Sequence, residues 1–73
     1  MAYRYLVVFE KEGSAYGATV PDLPGCVAVA RTPPAVKKLI REGIALHVED
    51  TLSRGEKVPK PRAHVDYVDA KVA

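Results

Sequence analysis

The N-terminal part of the chain alternates between apolar and polar positions with a period of two, which is typical of β-strands. The first run covers residues 3–10 and places four large apolar side chains on one face: Tyr3, Tyr5, Val7 and Phe9. A short link around Gly13 joins it to a second run over residues 15–20, and so short a link predicts an antiparallel hairpin. Residues 26–31 form a third run with small side chains. The pattern therefore predicts three strands, two of them joined as a hairpin.

After the third run, apolar positions recur at spacings of three and four, which indicates an amphipathic α-helix. Thr32 is placed to cap the helix and Pro33 suits its first turn, where a missing amide hydrogen costs nothing. Gly55 is placed to end it. The predicted helix of about 22 residues extends to about Arg54. Its apolar stripe consists of Val36, Leu39, Ile40, Ile44, Val48, Thr51 and Leu52.

The C-terminal part returns to strand chemistry after an extended connection over residues 56–63, which contains two prolines. Residues 64–72 alternate again, with a change of phase between Tyr67 and Val68 that a bulge would produce. The predicted fold is therefore α+β, in the order β-β-β-α-β. One long helix packs on a mainly antiparallel sheet.

The segment YGATVPDLPGC, residues 16–26, connects the second and third predicted strands. Pro21 and Pro24 each fix a backbone angle, so the loop between them is stiff and carries Asp22 and Leu23. The Asp22 carboxylate either accepts backbone hydrogen bonds within the loop or contacts a partner. The Leu23 side chain either tucks under the loop or forms an exposed contact. Both pairs of alternatives are open at the level of sequence.

The length of 73 residues predicts a single domain over residues 1–73. A domain of this size buries only about 60% of the surface of its unfolded chain, so its stability is marginal. The single cysteine excludes an internal disulfide, and the two histidines lack zinc-ligand spacing. Packing between copies is the remaining support, so we expect a homo-oligomer, either a dimer or a tetramer.

The charge and hydropathy of the chain argue against two classes of partner. A net charge of +2 is too small to indicate a dedicated nucleic-acid-binding protein. No apolar run approaches the roughly 20 residues of a membrane span, and residues 1–10 lack the layout of a signal peptide. These observations predict a cytoplasmic protein that does not associate with membranes.

The residue types that commonly carry catalysis do not form a recognisable set in this sequence. Cys26 begins a strand among apolar neighbours, and His47 lies beside the apolar stripe of the helix, so both are expected to be packing residues. The carboxylates are spread over the ends of different elements, and the five glycines form no phosphate-binding loop. We therefore expect no enzymatic activity, no metal site and no cofactor.

The segment YGATVPDLPGC, together with the helix end IALHVEDTLSRGEKVP, resembles the N-terminal domain of the HicB-like antitoxin family. The resemblance covers most of the chain. It implies a degraded ribonuclease H-like fold that lacks the catalytic carboxylates. It also implies an antitoxin that binds a small basic HicA-like ribonuclease toxin and covers its catalytic histidine. Many family members carry a C-terminal DNA-binding domain, whereas this sequence ends directly after the fourth predicted strand, so we do not expect DNA binding.

The proline loop and the start of the helix supply the candidate partner-binding residues: Tyr16, Asp22, Leu23, Pro24, Lys37, Lys38 and Arg41. Positive charge near a helix N-terminus opposes the helix dipole, which favours a role for these lysines in meeting an acidic surface. The alternative function is a stand-alone oligomeric scaffold without a toxin. In that case the helix cations and residues 54–62 would bind a small ligand or RNA.

Overall fold

The computed structural model describes residues 3–73. Its strands are β1 (Val8–Glu12), β2 (Ala15–Thr19) and β3 (Val27–Ala30), and its helix is α1 (Pro33–Ser53). The strands form one sheet in the order β1-β2-β3, with both neighbouring pairs antiparallel. The α+β class predicted from the sequence, with one long helix on an antiparallel sheet, is confirmed.

The register of the sheet places small residues beneath the helix. Gly13, with a φ of 62°, takes the left-handed conformation in the turn between β1 and β2. Phe9 pairs with Ala18, and Ala18 pairs with Ala28, so these three side chains share one face. Helix α1 packs against β2 and β3 on that face. The two alanines leave room for the helix to approach the sheet closely.

Both ends of α1 use the capping residues that the sequence predicts. The Thr32 hydroxyl accepts a hydrogen bond from the Ala35 amide at 3.3 Å, and Pro33 is the first helical residue. At the other end Gly55 has a φ of 72°, and the amide of Glu56 donates to the Thr51 carbonyl at 3.1 Å. The predicted limits of the helix are therefore correct to within one residue.

The core lies between the helix on one side and the sheet with the β2–β3 loop on the other. Leu23 is 0% exposed and is among the largest fully buried side chains. Three backbone hydrogen bonds between Val20, Leu23 and Cys26 close the loop at 3.0 to 3.2 Å, which turns Leu23 toward the helix. The buried cluster consists of Ala18, Val20, Leu23, Cys26, Val36 and Ile40.

The structure differs from the predicted element order at its two ends. Strand β1 begins at Val8 rather than at residue 3, because its partner β2 ends at Thr19, opposite Val8. The predicted fourth strand, residues 64–72, is not formed: residues 56–73 contain no strand or helix. Residues 3–7 and residues 64–72 both have the alternating pattern of a strand, but a strand also needs a neighbour that supplies hydrogen bonds. Within residues 3–73 neither segment has that neighbour.

We predict that Leu23→Ala lowers the free energy of unfolding by about 2 to 5 kcal/mol, because the substitution leaves a cavity in the core. Urea denaturation followed by circular dichroism measures the change. Leu46→Ala is the matched control, since Leu46 is 67% exposed, and its effect should stay within about 0.5 kcal/mol. Equal effects of the two substitutions would contradict the burial of Leu23.

Candidate protein-binding surfaces

The proline loop directs its two central side chains to different places. Leu23 tucks under the loop into the core, which decides between the two alternatives left open by the sequence. A partner therefore has no access to the Leu23 side chain, and its place among the candidate contact residues is corrected to a core position. Pro24 is exposed beside it.

Asp22 anchors the chain that follows the helix. Its Oδ2 atom accepts hydrogen bonds from the amides of Arg62 and Ala63, both at 3.0 Å. The Ala63 and Arg62 hydrogen bonds, in that order, lower the pKa of the Asp22 carboxyl because they favour its charged form. Of the two interpretations of Asp22, the acceptance of backbone hydrogen bonds is the one seen in the structure. The donors, however, lie 40 and 41 positions further along the chain and not in the loop itself.

Tyr16 lies on the helix-facing side of β2, at its N-terminal end. Its ring packs against the core cluster and is partly buried. The Lys11 ammonium lies 5.6 Å from the centroid of the ring, within the range of a cation–π contact. Tyr16 is therefore engaged within the chain, although part of its surface remains accessible.

The structure divides the predicted basic cluster of the helix. Lys37 and Arg41 are one turn apart and line the same groove, whereas Lys38 does not line it. Arg54 pairs with Asp50 at 2.7 Å and with Glu56 at 2.6 Å. The cations that the sequence places close together therefore do not form one continuous basic surface.

A groove of about 920 Å³ separates α1 from residues 3–7 and β1. Helix α1 packs on β2 and β3, so the β1 side of its apolar stripe is left without a covering element. We call this surface the β1–helix groove. Its apolar lining includes Tyr5, Val7, Phe9, Ile44, Val48 and Leu52. Its charged lining consists of Arg4, Lys37, Arg41 and Glu49.

The face of the sheet turned away from the helix is also uncovered. Val27 and Val29 lie on the opposite face of the sheet from Ala28, and their side chains are 64% and 67% exposed. No strand or helix of residues 3–73 packs on this face. We call it the outer sheet face, and it consists of Val8, Glu10, Glu12, Ala15, Gly17, Thr19, Val27 and Val29.

The outer sheet face was not predicted from the sequence, because only the alanines of the third strand were assigned a role in packing. Val27 and Val29 alternate with Ala28 and Ala30, so once the small residues are assigned to the helix, the valines must face outward. The same alternation places Glu10 and Glu12 on that face too, on β1, with β2 between them and these valines. The alternation of side chains along the strands was therefore sufficient to predict this face.

The side chains most suited to catalysis are not arranged for it. Cys26 is buried, and burial raises the pKa of its thiol, which disfavours the reactive thiolate. In the part of the chain that the structure describes, no three His, Cys, Asp or Glu side chains are placed to hold a metal ion. Among the same residues, no helix is long and apolar enough to cross a membrane.

The fold and these surfaces define a small α+β domain with two uncovered apolar faces and no assembled catalytic group in its described residues. Comparison with known proteins identifies the family. The profile of the HicB_like antitoxin of bacterial toxin-antitoxin systems matches residues 5–72. The chain belongs to the HicB-like antitoxin family, and the resemblance seen in the proline loop is confirmed.

A curated relative is an uncharacterized 14.9 kDa protein from the rep-hol intergenic region of Haemophilus phage HP1 (strain HP1c1). The two sequences are 31% identical over 65 residues, which cover 89% of this chain and 49% of the phage protein. The chain thus spans about half the length of that relative. No solved structure shows a significant match.

We predict that the amide proton shifts of Arg62 and Ala63 report the ionisation of Asp22. The pKa of Asp22 is lower in the folded state than in the unfolded state. The contact between its carboxylate and the two amides therefore stabilises the fold at pH values above the unfolded-state pKa. This stabilisation is lost as the pH falls through the folded-state pKa. NMR titration should therefore show both amides shifting together, with a midpoint below the ordinary aspartate value.

In Asp22→Ala the two amides should lose this titration, and above the folded-state pKa of Asp22 they should exchange faster with solvent than in the unaltered protein. Asp69→Ala is the control, because Asp69 is exposed in the C-terminal segment. Unchanged shifts and exchange rates in Asp22→Ala would show that the carboxylate does not hold these amides.

Proposed function

We propose that this protein is a non-catalytic, cytoplasmic antitoxin that neutralises a small basic HicA-like ribonuclease by binding it directly. Membership of the HicB-like antitoxin family supports the antitoxin role. The inert environment of Cys26 supports a function in binding rather than chemistry. Self-association into a homo-oligomer is part of the proposal, since a chain of 73 residues buries little surface alone.

The observation that carries the proposal is the uncovered outer sheet face. Val8, Val27 and Val29 are 39%, 64% and 67% exposed, and an exposed apolar patch of this kind marks an interaction surface more often than an isolated exposed side chain does. On the central strand, Gly17 lies in register between Glu10 and Val29 and carries no side chain, whereas Thr19 lies in register between Val8 and Val27. A partner can approach the backbone of the sheet at Gly17.

The charge of the outer sheet face suits a basic partner. Glu10 and Glu12 lie on this face along β1, next to the valine patch. Carboxylates at the edge of an apolar patch attract a positively charged protein and orient it during encounter. We therefore assign the toxin to this face.

The residues predicted from the sequence as partner contacts fit a basic toxin less well. Asp22 is occupied by two backbone amides, and Tyr16 is partly buried against the core. Lys37 and Arg41 would repel a positively charged partner at close range. The RNA-binding alternative is weakened at Arg54, which is paired with two carboxylates.

We predict that Val29→Arg weakens binding to the toxin about tenfold or more, because it removes apolar contact and adds a repelling charge to the outer sheet face. The probe is the product of a neighbouring reading frame that encodes a small, lysine-rich protein with a histidine. Titration calorimetry measures the affinity, and an RNA cleavage assay measures the neutralisation of the toxin.

Leu46→Arg is the matched control for this experiment. Leu46 and Val29 are equally exposed, at 67%, but Leu46 is on the helix. The control should bind and neutralise as the unaltered protein does. A toxin that stays free and active beside the unaltered protein would refute the proposed function, and equal loss in both variants would refute the assignment of the face.

We also predict that the purified protein leaves RNA intact in the presence of Mg²⁺ or Mn²⁺. Two-metal hydrolysis of phosphodiesters requires carboxylates that converge on both ions, and no such group of side chains exists within residues 3–73. Incubation with a structured RNA followed by gel electrophoresis tests this. Cleavage that persists through repurification would contradict the non-catalytic assignment.

A further inference from the structure

Two segments with the alternating pattern of strands lack a strand neighbour in the described chain. Residues 3–7 continue β1 beyond the end of β2, and the edge of β1 opposite β2 is also unpaired among the described residues. Residues 64–73, which we call the tail, are all exposed and contain no strand. An unpaired edge with free amides and carbonyls is a template for pairing with another extended segment.

The single chain is too extended for its size. Its radius of gyration is 14.7 Å, against about 11 Å for a compact domain of this length. Its accessible surface is 6272 Å², roughly 1,900 Å² above the approximately 4,400 Å² of a compact monomer of this mass. A standard protein interface buries about 1,600 Å² in total. The excess surface of each chain is therefore sufficient for a stable interface between two copies.

The tail and the β1–helix groove have matching chemistry. The tail carries large apolar side chains almost fully in solvent, with Tyr67 at 96% and Val72 at 91% exposure. Its charged residues are Asp66, Asp69 and Lys71, so the tail is acidic on balance. The groove is lined by apolar side chains of β1 and the helix and by three cations, Arg4, Lys37 and Arg41, against one carboxylate, Glu49. An apolar, acidic strand thus suits an apolar groove with a basic margin.

The attachment of the chain just before the tail keeps the tail out of its own groove. Pro61 and Ala63 line one end of the β1–helix groove, and the Asp22 carboxylate holds the amides of Arg62 and Ala63 there. Immediately beyond this point every residue is exposed. The tail therefore leaves the domain at the mouth of the groove instead of entering it.

We propose that the tail of one copy lies in the β1–helix groove of a second copy and adds a strand along its β1 edge and residues 3–7. Main-chain hydrogen bonds would supply affinity, and alternate side chains would fill the apolar groove. The exchange is reciprocal, so two copies close into a symmetric dimer. The interface is separate from the outer sheet face and does not depend on a toxin.

The first test measures the mass of the particle in solution. Light scattering on the unaltered chain at micromolar concentration should give about twice its 7.9 kDa. Deletion of residues 64–73 should give a single-chain particle that retains the helical circular dichroism signal, since the buried core lies within residues 18–51. A monomeric unaltered chain, or a dimer unaffected by the deletion, would overturn the proposal.

The second test separates exchange between copies from folding back within one copy. The tail variant Asp66→Lys/Asp69→Lys and the groove variant Lys37→Glu/Arg41→Glu change only exposed side chains. Each should dimerise about tenfold more weakly or worse, because like charges then meet across the interface. An equal mixture should recover the dimer, because each chain then meets a partner of opposite charge.

Lys38→Glu is the matched control, since Lys38 does not line the groove, and it should leave dimerisation unchanged. A mixture that stays monomeric, or charge variants that dimerise as well as the unaltered chain, would overturn the proposal. Toxin binding and the Val29→Arg variant report on the other face. The dimer deepens the self-association part of the proposed function, and its failure is distinguishable from failure of toxin binding and neutralisation.

Discussion

The burial of Leu23 is the constraint on which the rest of the structure depends. Pro21 and Pro24 stiffen the loop, three backbone hydrogen bonds close it, and the leucine is thereby driven between sheet and helix. Because Leu23 is fixed inward, its neighbour Asp22 remains at the surface. From there its carboxylate reaches the amides of Arg62 and Ala63. One loop therefore sets both the core and the point where the C-terminal segment is attached.

Two uncovered surfaces follow from the position of the helix. Helix α1 lies over β2 and β3, where alanines allow close packing, and leaves β1 unsupported on that side. Within residues 3–73 the sheet has three strands and a single helix packs on it, so the described chain supplies no layer for the other face. A single helix covers only part of one face of a sheet. The apolar positions on the rest of that face and on the other face are buried only when a partner covers them.

Local chemistry was sufficient to predict the helix and the hairpin. Thr32, Pro33 and Gly55 specify the helix ends through their own backbone preferences, and Gly13 does the same for the turn. The ends of the sheet could not be predicted in this way, since residues 3–7 and 64–72 have strand patterns whose pairing depends on a neighbour. The role of Asp22 was also beyond sequence reasoning, because its hydrogen-bond donors lie 40 positions away. The exposed valines of the outer sheet face were accessible from alternation alone.

The contact between Asp22 and the amides of Arg62 and Ala63 has a consequence for the order of folding. Joining residues 40 positions apart closes a long loop and costs chain entropy, and two hydrogen bonds at the surface offset little of that cost in an unfolded chain. The contact becomes favourable only when the hairpin, the loop and the helix have already brought its ends together. Attachment of the C-terminal segment is therefore a late event. Residues 64–73 are consequently positioned for assembly only after the body of the domain has folded.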